Sequence, residues 1–218
     1  MNAIEAYIGD LDARLRGPSS AKTDLLTEAR DGLTDAAEAY REGGADEAEA
    51  ERRAVADFGP VDLIAREYQA ELGLRRDIRV LWELIAGVPL LILGWDLARG
   101  FADWSELGTA PSWYHRAIGT ADTLAALSPA VAVAGLLAAR LLSRRTGGPP
   151  VARTVSWSLA GAVGLNLLAI ATYGGATGLL EPARMLVSVP CAVMSGTWIL
   201  FSMRLAVAAR SRRATAWR

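Results

Sequence analysis

Two hydrophobic patterns divide the chain. Up to about residue 73, apolar side chains recur at helical spacing among many charged ones, and beyond residue 80 they run together in long blocks. Ile4, Ile8, Leu11 and Leu15 fall at offsets of 4, 7 and 11, on one face of a helix that Gly17-Pro18 stops. A second helix is predicted from about Ser20 to Arg41, with Leu26, Ala29, Leu33, Ala37 and Tyr40 as its stripe and Gly43-Gly44 as its end. A third opens at Asp46, with Glu49 three residues on in the manner of a capping box, and is expected to bury Ala48, Val55 and Phe58. A fourth follows Pro60 with Val61, Ile64, Ala65, Tyr68 and Leu72. Such a bundle of about 70 residues has a marginal core, which invites support from a partner or from the rest of the chain.

The second half carries a different signal. A helix needs about 20 mainly apolar residues to cross the hydrocarbon core, where no water can satisfy an open backbone. Four segments are long enough: Val80–Leu97, Thr123–Leu142, Thr154–Leu180 and Met185–Met203, of which the third holds no charge. The predicted fold is therefore all-α, with about four short helices in a small cytoplasmic domain followed by a four-helix transmembrane bundle. The expected division is a domain at 1–73, a basic juxtamembrane linker at 74–79, the spans at 80–210 and a basic tail at 211–218.

Charge sharpens this division. Residues 1–73 hold 17 acidic and 8 basic side chains, net −9, whereas residues 74–218 hold 15 basic and 7 acidic, net +8. Cytoplasmic loops are enriched in basic residues. Arg75, Arg76 and Arg79 precede the first span; Arg140, Arg144, Arg145 and Arg153 surround the second-to-third connection; and Arg204, Arg210, Arg212, Arg213 and Arg218 follow the fourth. Both termini are thus expected in the cytoplasm, with residues 98–121 as an external loop. Residues 1–25 are polar and lack the apolar run of a signal peptide, in keeping with that topology. Trp82, Trp95, Trp104, Trp113 and Tyr114 are expected as anchors in the headgroup layer, and a loop of that length also leaves room for a ligand-sensing surface. Lys22 stands alone against 22 arginines, as a GC-rich bacterial genome would produce.

Asp57-Phe58-Gly59 spells the metal-binding word of protein kinases, but a kinase also needs a glycine-rich loop, a strand lysine and a catalytic-loop aspartate. None of these is in the sequence, and Pro60 after Gly59 makes the stretch helix punctuation. Phe58, Gly59 and Pro60 are thus a predicted helix corner. The single His115 and single Cys191 rule out multi-histidine and multi-cysteine metal sites, and Cys191 within a span is expected to pack rather than react. No enzyme activity, cofactor or metal is expected.

The candidate polar residues within the spans are Glu83 and Asn166. Glu83 lies about one turn inside the first span, where it can reach headgroups, pair with Arg79 or an arginine of a neighbouring helix, or serve a proton or substrate. Asn166 is expected to face the bundle interior for a hydrogen bond, with a transport role as the alternative. Pro89 and Pro190 are expected to kink the first and fourth spans, and Gly174 with Gly178 to allow close helix approach. The arginine-rich tail after the last span suits anionic lipid, so direct nucleic-acid binding is not expected.

The order "YIGDLDARLRGPSSAKTDLLTEARDGLTDAAEAYREGG" then "DEAEAERRAVADFGPVDLIAREY" resembles the HAAS, or permease prefix, domain of bacterial membrane proteins. That family has a helix ending in a Leu-Pro-like break, an acidic helix, and a Gly-Asp-Pro-like corner before an Ile-Ala helix. Here the break is Arg16-Gly17-Pro18, and the corner Phe58-Gly59-Pro60 lacks the aspartate. The resemblance covers the first third of the chain. It implies a non-enzymatic signalling module in front of inner-membrane spans, with a cytoplasmic protein partner such as a PadR-like regulator. The alternative is a transporter permease or transporter subunit, and self-association stays open.

Overall fold

The computed structural model describes residues 2–17, 19–101, 109–145, 149–180 and 189–210. Among them the chain forms seven helices and no strand: α1 (Ala3–Arg14), α2 (Ser19–Glu42), α3 (Glu47–Phe58), α4 (Val61–Gly100), α5 (Ser112–Ser143), α6 (Pro149–Leu180) and α7 (Val189–Arg210). The chain divides into two compact units, Met1–Arg75 and Arg76–Arg218. The predicted tail at 211–218 and Trp104 lie outside the described residues.

In the first unit, α1 begins at Asn2, whose side chain accepts from the Ile4 and Glu5 amides and satisfies two open helix N–H groups. Ile4, Tyr7, Ile8, Leu11 and Leu15 are all buried, against Leu25, Ala29, Leu33 and Ala37 of α2. The Asp46 side chain caps α3 through the Glu49 amide at 2.8 Å, while Glu49 turns outward to Arg52 and Arg53. The buried face of α3 differs from the expected one: Ala50 and Ala54 are in the core and Ala48 is exposed. With the helix starting at Glu47, Ala48 falls in the first turn, and the four-residue step Ala50, Ala54, Phe58 faces the core.

Phe58, Gly59 and Pro60 form a tight corner. Gly59 ends α3 with φ +109° and ψ 176°, a region open in practice to glycine alone. Its carbonyl accepts the Tyr7 hydroxyl at 3.0 Å, and the Tyr7 and Phe58 rings meet edge to face at 5.8 Å. Pro60 then offers its carbonyl to the Leu63 and Ile64 amides as α4 begins.

The expected linker at 74–79 is helical. The fourth short helix and the first span are one 40-residue helix, because nothing between Leu72 and Val80 breaks it. Gly73 alone costs about 1 kcal/mol, which the flanking turns of a long helix absorb. Likewise residues 112–121, expected in a loop, already belong to α5, where Pro111 leads in and the Tyr114 hydroxyl lies 3.3 Å from Thr177 of α6. Pro190 is in the first turn of α7 and does not interrupt it; there a missing N–H has no helical partner to lose. Pro89 and Pro129 lie inside α4 and α5.

α4, α5, α6 and α7 are each long and apolar enough to cross a membrane. They leave Leu90, Leu97, Leu141, Trp157, Leu179 and Leu200 more than half exposed, whereas Leu63 is the one exposed large hydrophobic among the described residues of the first unit. Apolar surface on that scale suits hydrocarbon as solvent. Between the long helices the packing uses small residues. Ala121, Ala125, Ser128, Ala132, Gly135 and Ala139 of α5 recur at steps of 4 and 3 and are buried, and α5 packs most extensively on α6. A side chain at Gly135 would collide with Cβ and Oγ of Ser158. Gly87 faces Phe201 and Gly94 faces Met194 with similar closeness, each at 2.7 Å from where a Cβ would stand. Gly178, expected at such a contact, has nothing within 4 Å.

Candidate functional site

Each residue of an α-helix turns the chain by about 100°. On α2, Asp24, Glu28, Asp31, Asp35, Glu38 and Glu42 are spaced 4, 3, 4, 3 and 4 apart, so they share one face, and all six are exposed. The buried stripe from Leu25 to Ala37 lies on the opposite side. Two of the three basic residues of α2 point elsewhere. Lys22 meets Asp12 at 2.9 Å and Arg30 meets Glu5 at 2.8 Å, both on α1, while Arg41 reaches Glu38 at 3.4 Å. Among the described residues no ion pair engages Asp24, Glu28, Asp31, Asp35 or Glu42.

Like charges one turn apart destabilise a helix by about 0.2–0.5 kcal/mol per pair. The six carboxylates make five such neighbouring pairs, which cost stability, and together they form a negative ridge. The net charge of the first 73 residues pointed towards this face, but only the 4-3 periodicity of the carboxylates reveals it, and that periodicity is plain in the sequence.

Elsewhere several of the first unit's carboxylates are paired locally. The Arg30 hydrogen bond holds Glu5 below its ordinary range, and Arg52 and Arg53 do the same for Glu49. The Tyr40 hydroxyl donates to Asp57, which raises the Tyr40 pKa and gives Asp57 a structural partner.

In the second unit the two singled-out polar residues both meet α7. Arg204 donates to Glu83 at 2.7 Å, so Glu83 is paired with a neighbouring helix rather than with Arg79. Asn166 is fully buried and its amide donates to the Ser202 hydroxyl at 3.0 Å, while its Oδ1 has no partner among the described residues. The two contacts are separate; they do not build one site. Nearby in sequence, Arg76 donates to the Ala208 carbonyl, and Asp77, assigned above to a linker, is fully buried.

Of the expected aromatic anchors, Trp82 and Trp113 are exposed, but Trp95 is 5% exposed and packs with Cys191 and Tyr173. Trp95 is thus an interior residue: Tyr173 meets its ring edge to face at 5.7 Å. The Cys191 thiol is fully buried and donates to the Ala98 carbonyl at 3.6 Å. His115 lies exposed on α5 beside Tyr114. No group of three or more potential metal ligands occurs among the described residues.

No protein-family model, no curated protein and no solved structure matches the chain.

Proposed function

We propose that this is a non-enzymatic bacterial inner-membrane protein whose N-terminal unit binds a basic face of another protein in the cytoplasm. The observation that carries this reading is the α2 ridge of six exposed carboxylates, set opposite the buried stripe, with only Glu38 in an ion pair among the described residues. The arginine distribution supports a topology with both termini in the cytoplasm, which puts the ridge within reach of cytoplasmic partners. The resemblance of residues 1–73 to the HAAS domain suggests a PadR-like regulator as the partner class. A transport path draws less support, since Glu83 is held by Arg204 and Asn166 donates to Ser202.

The test uses the full-length protein in nanodiscs and a purified PadR-like regulator. Binding is expected, weakening steeply with salt and disappearing when Asp24, Glu28, Asp31 and Asp35 are changed to Asn or Gln. Retention of the partner by that neutralised variant, unaltered by salt, would sink the reading.

A further inference from the structure

The second unit holds a partly open cavity of about 60 Å³ lined by residues from all four long helices: Trp95 of α4, Asp122 of α5, Tyr173 of α6, and Ser195 and Trp198 of α7. Ala121 and Ala125 of α5 and Ala169 and Ile170 of α6 supply the remaining wall, where the three alanines leave room. It lies nearer the C-terminal ends of α4 and α6 than their N-terminal ends.

Three features separate this space from an ordinary packing defect. Trp95 is more than nine-tenths buried, and among the described residues neither its indole N–H nor that of Trp198 has an acceptor. A buried donor left unmatched costs about 1–3 kcal/mol, and two at one cavity argue for an occupant that brings an oxygen acceptor. The only charged residue among those lining the cavity is the Asp122 carboxylate. Arg99 donates to the nearby Asp96 at 2.6 Å. A carboxylate in the lining is complemented by a cation. Finally, Trp95, Tyr173 and Trp198 put three aromatic rings at one small space, a lining that favours an ammonium group. The volume corresponds to about four water-sized positions.

From this geometry we propose that the cavity binds a primary ammonium group with an oxygen acceptor on the adjoining carbons, a head of ethanolamine size. The ammonium sits at Asp122 among the rings, and the oxygen accepts from the indole N–H groups of Trp95 and Trp198. The same chemistry is offered by free ethanolamine and by the headgroup of phosphatidylethanolamine. This site is independent of the protein-binding ridge on α2, and either can fail without the other.

The test is calorimetric titration of the full-length protein in phosphatidylcholine nanodiscs with ethanolamine, ethylamine and ethylene glycol. Ethanolamine is expected to bind, with ethylamine, which lacks the acceptor, and ethylene glycol, which lacks the charge, each weaker by about tenfold. Asp122→Asn should weaken binding about tenfold or more, and Trp198→Phe, which keeps a ring and removes the N–H, about threefold or more. If the source is the lipid, the melting temperature rises in nanodiscs containing phosphatidylethanolamine, the rise vanishes in Asp122→Asn, and free ethanolamine competes only weakly. Where Asp122→Asn does not fold, Trp198→Phe carries the comparison. Absence of binding to both ethanolamine and phosphatidylethanolamine, or wild-type binding by the folded variants, would mean a cavity filled by water alone and would overturn the proposal.

Discussion

At Gly59 the backbone holds a conformation that a side chain would strain, and the carbonyl of the same residue receives the Tyr7 hydroxyl. Gly59→Val is expected to destabilise the first unit by about 1–3 kcal/mol through the backbone. Asp57→Asn, two residues away, should stay within about 0.5 kcal/mol, because an amide oxygen can still accept from Tyr40. Thermal melting of the full-length variants in detergent distinguishes the two, and an equal loss from both would contradict the role given to Gly59. Ion pairs at this scale predict a pH response. Glu5 and Glu49 have folded-state pKa values below the ordinary 4.5, so their contribution is complete above that value and is lost as pH falls through the lowered ones. Melting curves taken from about pH 6 down to about pH 3 should therefore fall less steeply in a Glu5→Gln, Glu49→Gln double variant than in the parent chain.

Among the elements, those with strong punctuation were legible in the sequence. Asp46 caps α3 as its spacing with Glu49 implies, and Gly59-Pro60 ends one helix and starts the next. The buried face of α3 was less legible because alanines fill it, and an alanine contributes too little apolar area to distinguish Ala48 from Ala50. The continuity of α4 was hidden for another reason: polarity changes near residue 74, but a change in polarity does not end a helix unless a residue there breaks it. Trp95 shows the limit of residue type as a guide. Tryptophan favours the headgroup layer, yet here its neighbours Cys191 and Tyr173 hold it inside, and the cavity beside it needs residues from four helices to exist. Close helix approach was assigned to Gly174 with Gly178; of these Gly178 stands in open space, while the α5 stripe packs closely on α6. Gly135→Val should cost about 1–3 kcal/mol by forcing α5 from Ser158. Gly178→Ala, in open space, should stabilise α6 by about 0.5–1 kcal/mol. Unfolding of the two variants in denaturing detergent gives the comparison, and a similar loss from both would count against the assigned contact.

For the whole molecule, opposite net charges and opposite surfaces go together. The first unit turns carboxylates outward around a small apolar core, and the second turns leucines and tryptophans outward, with a stripe of small residues on the buried face of α5. On the proposed reading, the acidic ridge puts stability and binding in opposition. Neutralising Asp24, Glu28, Asp31 and Asp35 should raise the stability of the first unit by a few tenths of a kcal/mol per relieved pair while abolishing partner binding. A neutralised variant that melted lower than the parent chain would show instead that the ridge supports the fold. The contact between Gly135 and Ser158 also has a meaning for descent: two positions 23 residues apart share room for little more than one hydroxymethyl group. In any lineage that keeps this helix pair, an alanine at position 135 should be accompanied by a glycine at position 158, so the two sites should drift as one.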